Sequence, residues 1–413
     1  MLMEEKALDR SNGSTADVDG IRPAFLGPKA LLAAVEALAP ELTARGDEIE
    51  RARVMPQDIF EKIRETGIFQ AIRDPRYGGA GLRVPDMLPV MEAMARGDGS
   101  TAWSVMVGSE SPIAWQWFPP DVQEEVFGSN PDALTRATVT PRPNIIRVDG
   151  GVRIKGTWPL GSGSYPANWA VVGGMVTLAD GTLSVGADGK PEMIVAAIPF
   201  SEIRALDTWY ALGMRSTESH DFAVDDLFVP DRFTAPYHGA GVAGSTLSRL
   251  PWWLGVGPFH AGVVLGIAQG MLDEIVPLAA GKKPFLNPRV ILAADPIFQD
   301  RIGRLQTRLS AVRALAMQEA EAVWEMAETV FPLPPEVRAR FRSAISHVHF
   351  ECLDVANDVF TLGGTTVLYD SASLQRRFRD IRTACQHVCG SADLYRPYGA
   401  LLLGQVPENV AML

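Results

Sequence analysis

The chain has 413 residues, 47% hydrophobic and 21% charged, with a formal net charge of -11. That length exceeds one ordinary core and predicts two or three domains of a soluble globular protein. The acidic balance lacks the basic stripe of a nucleic-acid binder, and no uninterrupted apolar run reaches the length that spans a bilayer, so no membrane partner is expected.

Residues 1–22 are polar, without periodicity or an apolar leader run, and are expected to be disordered. Helical patterning begins at Pro28, with Leu31, Leu32, Val35, Leu38 and Leu42 at three- and four-residue steps. A second helix is expected over Pro56–Thr66, a loop over Asp74–Gly81, a helix after Pro85, and another capped by Asp98 or Ser100 and carrying Trp103. Residues 23–130 therefore read as a helical domain. Residues 131–235 hold short β-branched runs around 138–140, 145–148, 152–154, 170–172, 193–198 and 222–224, punctuated by Gly, Pro, Asp and Asn. That spacing predicts an antiparallel barrel or sandwich. Residues 236–413 return to helix, with segments at Phe259–Ala280, Pro296–Thr329, Pro335–Phe360 and Leu374–Val388, which predict a bundle. The fold class is α+β: helices, a β-domain, then helices.

The stretch Gly156–Trp169 joins two strand-like runs and is rich in glycine and serine between two tryptophans. It is either a wide turn or a place where backbone and hydroxyls meet a flat ring or a phosphate. Cys385 and Cys389 flank His387, but no fourth ligand stands at a recognisable spacing, so no metal site is expected. Three cysteines in so long a chain suit free thiols in a reducing cytoplasm. No GxGxxG follows a strand, which argues against direct use of NAD(P)H.

The order of these elements, together with Tyr77-Gly78-Gly79-Ala80-Gly81, Gly213-Met214-Arg215-Ser216-Thr217, Val224–Pro230, Leu362-Gly363-Gly364-Thr365 and Arg379-Asp380, resembles the acyl-CoA dehydrogenase superfamily over residues 25–405. The resemblance implies a flavin in the β-domain: Ser162 matches the hydroxyl that meets flavin N5, Trp158, Gly161 and Gly163 lie beside it, and Arg215, His220 and Arg379 are further candidates for the cofactor. The family's catalytic Glu is missing from Thr383–Gly390 and from Leu250–Gly255. His387 stands near the first of these positions, which resembles the branch of two-component flavin-dependent monooxygenases. That likeness implies reduced flavin (FMNH2 or FADH2) from a separate reductase, O2, a C4a-hydroperoxyflavin, and His387 and Ser162 as catalytic residues. It also implies a homo-oligomer, with a tetramer the usual form.

Aromatic hydroxylases of this branch carry a second histidine where this chain has Glu110 and Ser111, so a substrate other than a simple phenol is implied. Trp115, Trp252, Trp253 and His260 are the other substrate candidates, and together they suit a flat, apolar, aromatic or heteroaromatic small molecule. The alternative is an acyl-CoA dehydrogenase whose base has moved, to Glu110 or Glu218.

Overall fold

The computed structural model describes residues 25–186, 189–237, 244–284 and 288–407. The segment 1–22 and His238 lie outside them. The first domain holds α1 (Pro28–Ala52), α2 (Gln57–Glu65), α3 (Met87–Gly97), α4 (Gly99–Glu110), α5 (Pro112–Trp115) and α6 (Pro120–Gly128). The periodic stripe of α1 is the buried one, through Leu31, Val35, Leu42 and Ile49. Asp98 caps α4, its carboxylate accepting from the Thr101 N–H at 2.8 Å.

The middle domain is one sheet of eight strands: β1 (Thr135–Val139), β2 (Ile145–Val148), β3 (Gly151–Trp158), β4 (Trp169–Thr177), β5 (Met193–Pro199), β6 (Arg204–Leu206), β7 (Asp221–Pro230) and β8 (Thr234–Pro236). The order is β6-β7-β3-β2-β4-β5-β8, with β1 paired to β4. All six predicted runs fall on strands, except that Thr140 lies one residue past the end of β1. The sheet is not wholly antiparallel: β4 takes β1 along its first half and β2 at Val176 and Thr177, both parallel. Two short strands at the edges, β6 and β8, carry too few residues to show a period.

The last domain contains α7 (Thr246–Arg249), α8 (Trp252–Gly281), α9 (Pro296–Thr329), α10 (Pro335–Gly363), α11 (Ser373–Ala384) and α12 (Tyr395–Leu402). Its centre is α8, which packs on α3, α4, α9, α10 and α11. By length and apolarity α8 could cross a membrane, which the sequence reading did not expect, yet its middle is buried inside the protein. It starts at Trp252, seven residues before the expected Phe259. Pro258 removes one helical bond, at a cost of about 3 kcal/mol. Burying Leu254 alone returns roughly 1.5–3 kcal/mol, and Trp252 and Trp253 pack on the same core. The close approach of α8 to α3 needs Gly262 and Gly266, where a Cβ would lie 2.5 Å and 2.2 Å from the carbonyl oxygens of Leu88 and Glu92.

Helices from both ends of the chain share one hydrophobic core, while the sheet and the α5–α6 aromatics form a second. Trp252 packs against both. Helix α11 stops at Ala384, four residues short of the expected end, and the chain turns so that Gly390 presses on His349 of α10. His387 therefore sits on a turn and not on a helix.

Candidate functional site

Where the two cores meet there is a cavity of about 440 Å³, within the range of small-molecule sites. Its walls come from α4, the start of α8, the turn after α11, β1, and the loops around Ser162 and Thr217. The lining is mostly apolar, and no lysine or arginine is among its described residues.

On the helical side, His387 and His260 stack with ring centroids 4.2 Å apart and planes 15° apart. Trp103 of α4 meets both edge-on, at 5.2 Å from His260 and 5.6 Å from His387. Trp253 closes on His387 at 6.4 Å. Burial pushes the His387 imidazole down to about 3, helped by His349 and Arg342, and holds His260 well below its usual range, helped by His387. Both rings are neutral at physiological pH. The Cys389 N–H donates to His387 Nδ1 at 3.4 Å, which places the ring's proton on Nε2. Beside the stack, Glu110 is buried, and burial raises its carboxyl well above the usual carboxylate range. Its Oε2 lies 3.7 Å from His260 Nε2 and has no hydrogen-bond partner, nor does His260 Nδ1. Ser111 donates to the Gly108 carbonyl at 2.8 Å.

On the sheet side, the turn after β3 is tied down by the Gly161 N–H to the His220 carbonyl and the Gly163 N–H to the Thr217 carbonyl, both 2.9 Å. This holds Ser162 Oγ 2.6 Å from Ser219 Oγ, with the Trp103 indole N–H 3.4 Å away. Ser162, Glu110, Ser111, Trp252, Trp253, His260 and His387 thus line one cavity. Residues from positions 110 to 387 meet there because the helical ends share a core.

The other candidates lie elsewhere. Trp158 is buried inside the sheet domain, its indole donating to the Gly173 carbonyl at 2.9 Å. A Cβ on Gly161 would strike the Phe222 ring at 2.4 Å, and one on Gly163 would strike Tyr165 at 2.8 Å, so these glycines serve packing and do not face the cavity. Trp115 is sealed in the second core and donates to Thr135 Oγ1 at 2.9 Å. Arg215 and Arg379 meet at Glu50, Arg379 through two contacts, and His220 Nδ1 accepts from the backbone of Thr208 and Trp209. None of these lines the cavity. Arg379 and Asp380 are not each other's partners, for Asp380 accepts from the Met214 N–H at 2.6 Å. Glu218 lies 3.6 Å from Arg136 and outside the cavity. His260, His387 and Cys389 offer ligand atoms within 4.8 Å of one another, and Cys385 is not in that group. Burial pushes the Cys389 thiol up to about 12, which keeps it protonated.

Sequence reasoning missed Trp103, Thr217 and Ser219 as site residues. The motif Gly213–Thr217 was visible, but the direction in which its side chains point was not.

Two family models match the chain: acyl-CoA dehydrogenase, N-terminal domain, over residues 29–140, and acyl-CoA dehydrogenase, C-terminal domain, over residues 259–391. The chain is 27% identical over 364 residues to indole-3-acetate monooxygenase of Pseudomonas putida, covering 88% of this chain and 91% of that protein. It is 27% identical over 387 residues to the flavin-dependent monooxygenase, oxygenase subunit HsaA, of Rhodococcus jostii, covering 88% and 96%. Among solved structures, the HsaA monooxygenase of Mycobacterium tuberculosis superposes with a TM-score of 0.84 at 25% identity, over 93% of this chain and 100% of that one. XiaF of Streptomyces, crystallised with FADH2 and glycerol, superposes with a TM-score of 0.84 at 24% identity, over 92% and 96%.

Proposed function

Because this chain belongs to the acyl-CoA dehydrogenase family, we propose that it is a flavin-dependent monooxygenase. It takes reduced flavin and O2 and oxygenates a flat aromatic or heteroaromatic small molecule. The observation that carries this reading is the cavity itself, where a sheet-side hydroxyl, Ser162, faces a neutral imidazole stack and no ionised carboxylate is available as base. Relatives named as monooxygenases support it.

The cavity fits a flavin ring. It has apolar walls, and Ser162 presents a hydroxyl oxygen that lies within hydrogen-bond distance of Ser219 and Trp103. A reduced flavin held there would supply the electrons that activate O2. Ser162 would hold the ring's N5 edge, with Thr138, Pro159 and Leu160 lining the same side of the cavity. Trp103, Trp252 and Trp253 wall the substrate side and exclude water, which strengthens each polar contact. His387 presents an Nε2–H and, neutral down to about pH 3, acts as a donor that orients the substrate or the oxygen to be transferred. Deprotonation of the substrate does not suit a ring whose Nδ1 already accepts from the Cys389 N–H. Glu110, Ser111 and His260 read the polar edge of the substrate. The flavin comes from a separate reductase, as the name "oxygenase subunit" of one relative suggests. Exposed Leu402 and Leu403 on and after α12 and Val276 on α8 support a homo-oligomer, for which a tetramer is the expected form.

A dehydrogenase with a moved base is disfavoured. Glu218 does not reach the cavity, Glu110 is held protonated, and no cation in the lining would meet the phosphates of CoA. The test mixes anaerobically reduced FMN or FAD and protein with isotopically labelled O2 and a panel of indoles, phenols and thiophenes. One labelled oxygen in a product supports the reading. Reoxidation at the free-flavin rate, with reduction of bound flavin by an acyl-CoA, overturns it.

A further inference from the structure

We propose that Thr217 and Ser219 are positioning residues that fix the direction of the Ser162 hydroxyl, so that the site accepts a flavin protonated at N5 in preference to the oxidised one. This rests on the flavin reading above. Ser162 Oγ lies 2.6 Å from Ser219 Oγ, Ser219 Oγ lies 2.6 Å from Thr217 Oγ1, and Thr217 Oγ1 lies 2.9 Å from the Met214 carbonyl oxygen. All three hydroxyl residues are buried.

The last link decides the rest. A carbonyl has no proton, so Thr217 must donate to it. Turning the Thr217 proton back toward Ser219 would leave two acceptor oxygens facing each other at 2.9 Å. With its one proton spent, Thr217 can only accept from Ser219, and Ser219 can only accept from Ser162. Ser162 has then used its own proton, and the Trp103 N–H also points at it as a donor. Toward the cavity it offers a lone pair. Oxidised flavin has a bare lone pair at N5, and two lone pairs would oppose each other. Reduced flavin carries an N–H there and completes the chain.

The terminus is built to stay put. Met214 is held in the left-handed region, φ 54°, by its N–H on Asp380 at 2.6 Å. The same carbonyl takes the Trp209 indole N–H at 2.8 Å. A side chain at Gly213 would strike the Arg379 carbonyl at 2.2 Å. The motif Gly213–Thr217 and the pair Arg379–Asp380 thus act together on the Ser162 hydroxyl, 51 residues before the motif begins and 217 before the pair.

The test is anaerobic titration of the full chain with oxidised and with reduced FMN and FAD, followed by flavin absorbance and equilibrium dialysis. The quantity read is the ratio of the two dissociation constants. The wild-type chain is expected to bind the reduced form more tightly. Thr217→Val removes the terminal donor and frees the chain to reverse, and Ser219→Ala cuts it. Each should narrow the ratio by about tenfold, the scale of one neutral hydrogen bond gained or left unmet. Thr217→Ser keeps the donor and should keep the ratio. A structural role alone would weaken both forms equally. If Thr217→Val does not fold, Ser219→Ala carries the comparison. Preference for reduced flavin that is unchanged in both variants overturns this inference alone. A wild-type chain that binds neither form overturns the flavin reading and this inference with it.

Discussion

Replacing Glu110 with glutamine should stabilise the protein at neutral pH and leave its stability unchanged near pH 4. The carboxyl is buried, makes no hydrogen bond through Oε2, and has only the neutral His260 at 3.7 Å. Burial raises its pKa in the folded chain, while in the unfolded chain it titrates near the usual value of about 4.3. Below that value both states hold the proton, and the group costs nothing. Above it the unfolded state releases the proton and the folded state keeps it, so stability falls by about 1.4 kcal/mol per pH unit until the folded pKa is reached. Glutamine has the same shape and cannot ionise. The gain in Glu110→Gln should therefore grow with pH at that slope and then level off. Melting curves of both proteins at half-unit steps from about pH 4 to pH 8 would show it, with roughly 2 °C expected per kcal/mol in a chain of this size. A difference that does not change with pH, or a variant less stable at pH 8, would refute the assignment of a neutral carboxylic acid.

Acid should act the other way on the histidines. His260, His349 and His387 are held neutral by burial, so their folded pKa values lie below the unfolded one, and each takes stability away as pH falls below about 6.5; relative to wild type, His349→Gln should therefore gain in melting temperature as pH is lowered from 7 to 5, which paired melting curves at the two pH values would read. Gly266→Ala should destabilise by about 1–3 kcal/mol through overpacking on α3, whereas Gly303→Ala, exposed in α9 with open space around it, should stabilise by up to about 1 kcal/mol; denaturant midpoints compare them. His387→Ala should lower the product formed per flavin oxidised by on the order of tenfold while leaving reduced-flavin affinity near the wild-type value, which paired product and peroxide assays would read. Trp103→Phe removes the N–H on Ser162 but keeps the edge contact with both imidazoles; it should weaken flavin discrimination less than Ser219→Ala, measured by the same anaerobic titration.

Much of the architecture was legible in the chain alone. Periodicity marked the long helices, β-branched runs marked six of the strands, and Asp98 announced α4, because these signals depend on neighbours a few residues apart. The same locality explains the errors. The start of α8 was placed at Phe259 because the burial of Leu254 and the packing of Trp252, which carry the helix through Pro258, are invisible locally. The end of α11 was misplaced because Gly390 is drawn to His349 on another helix.

The site divides along the same line. Sequence by itself determined which chemistries were present: a hydroxyl turn at Ser162, a histidine where a base is usually a carboxylate, and Glu110 beside Ser111. It also determined what was missing, a glutamate at either expected position. Tertiary structure decided which of these groups meet. It brought His260 onto His387, placed Trp103 between them and Ser162, and sent Trp158, Trp115, Gly161, Gly163, Arg215, His220 and Arg379 to packing and ion pairs away from the cavity. It alone set charge and proton direction, since a pKa follows from burial and a hydroxyl's proton from the last acceptor in its chain. Both depend on atoms from distant segments, and no local pattern encodes them.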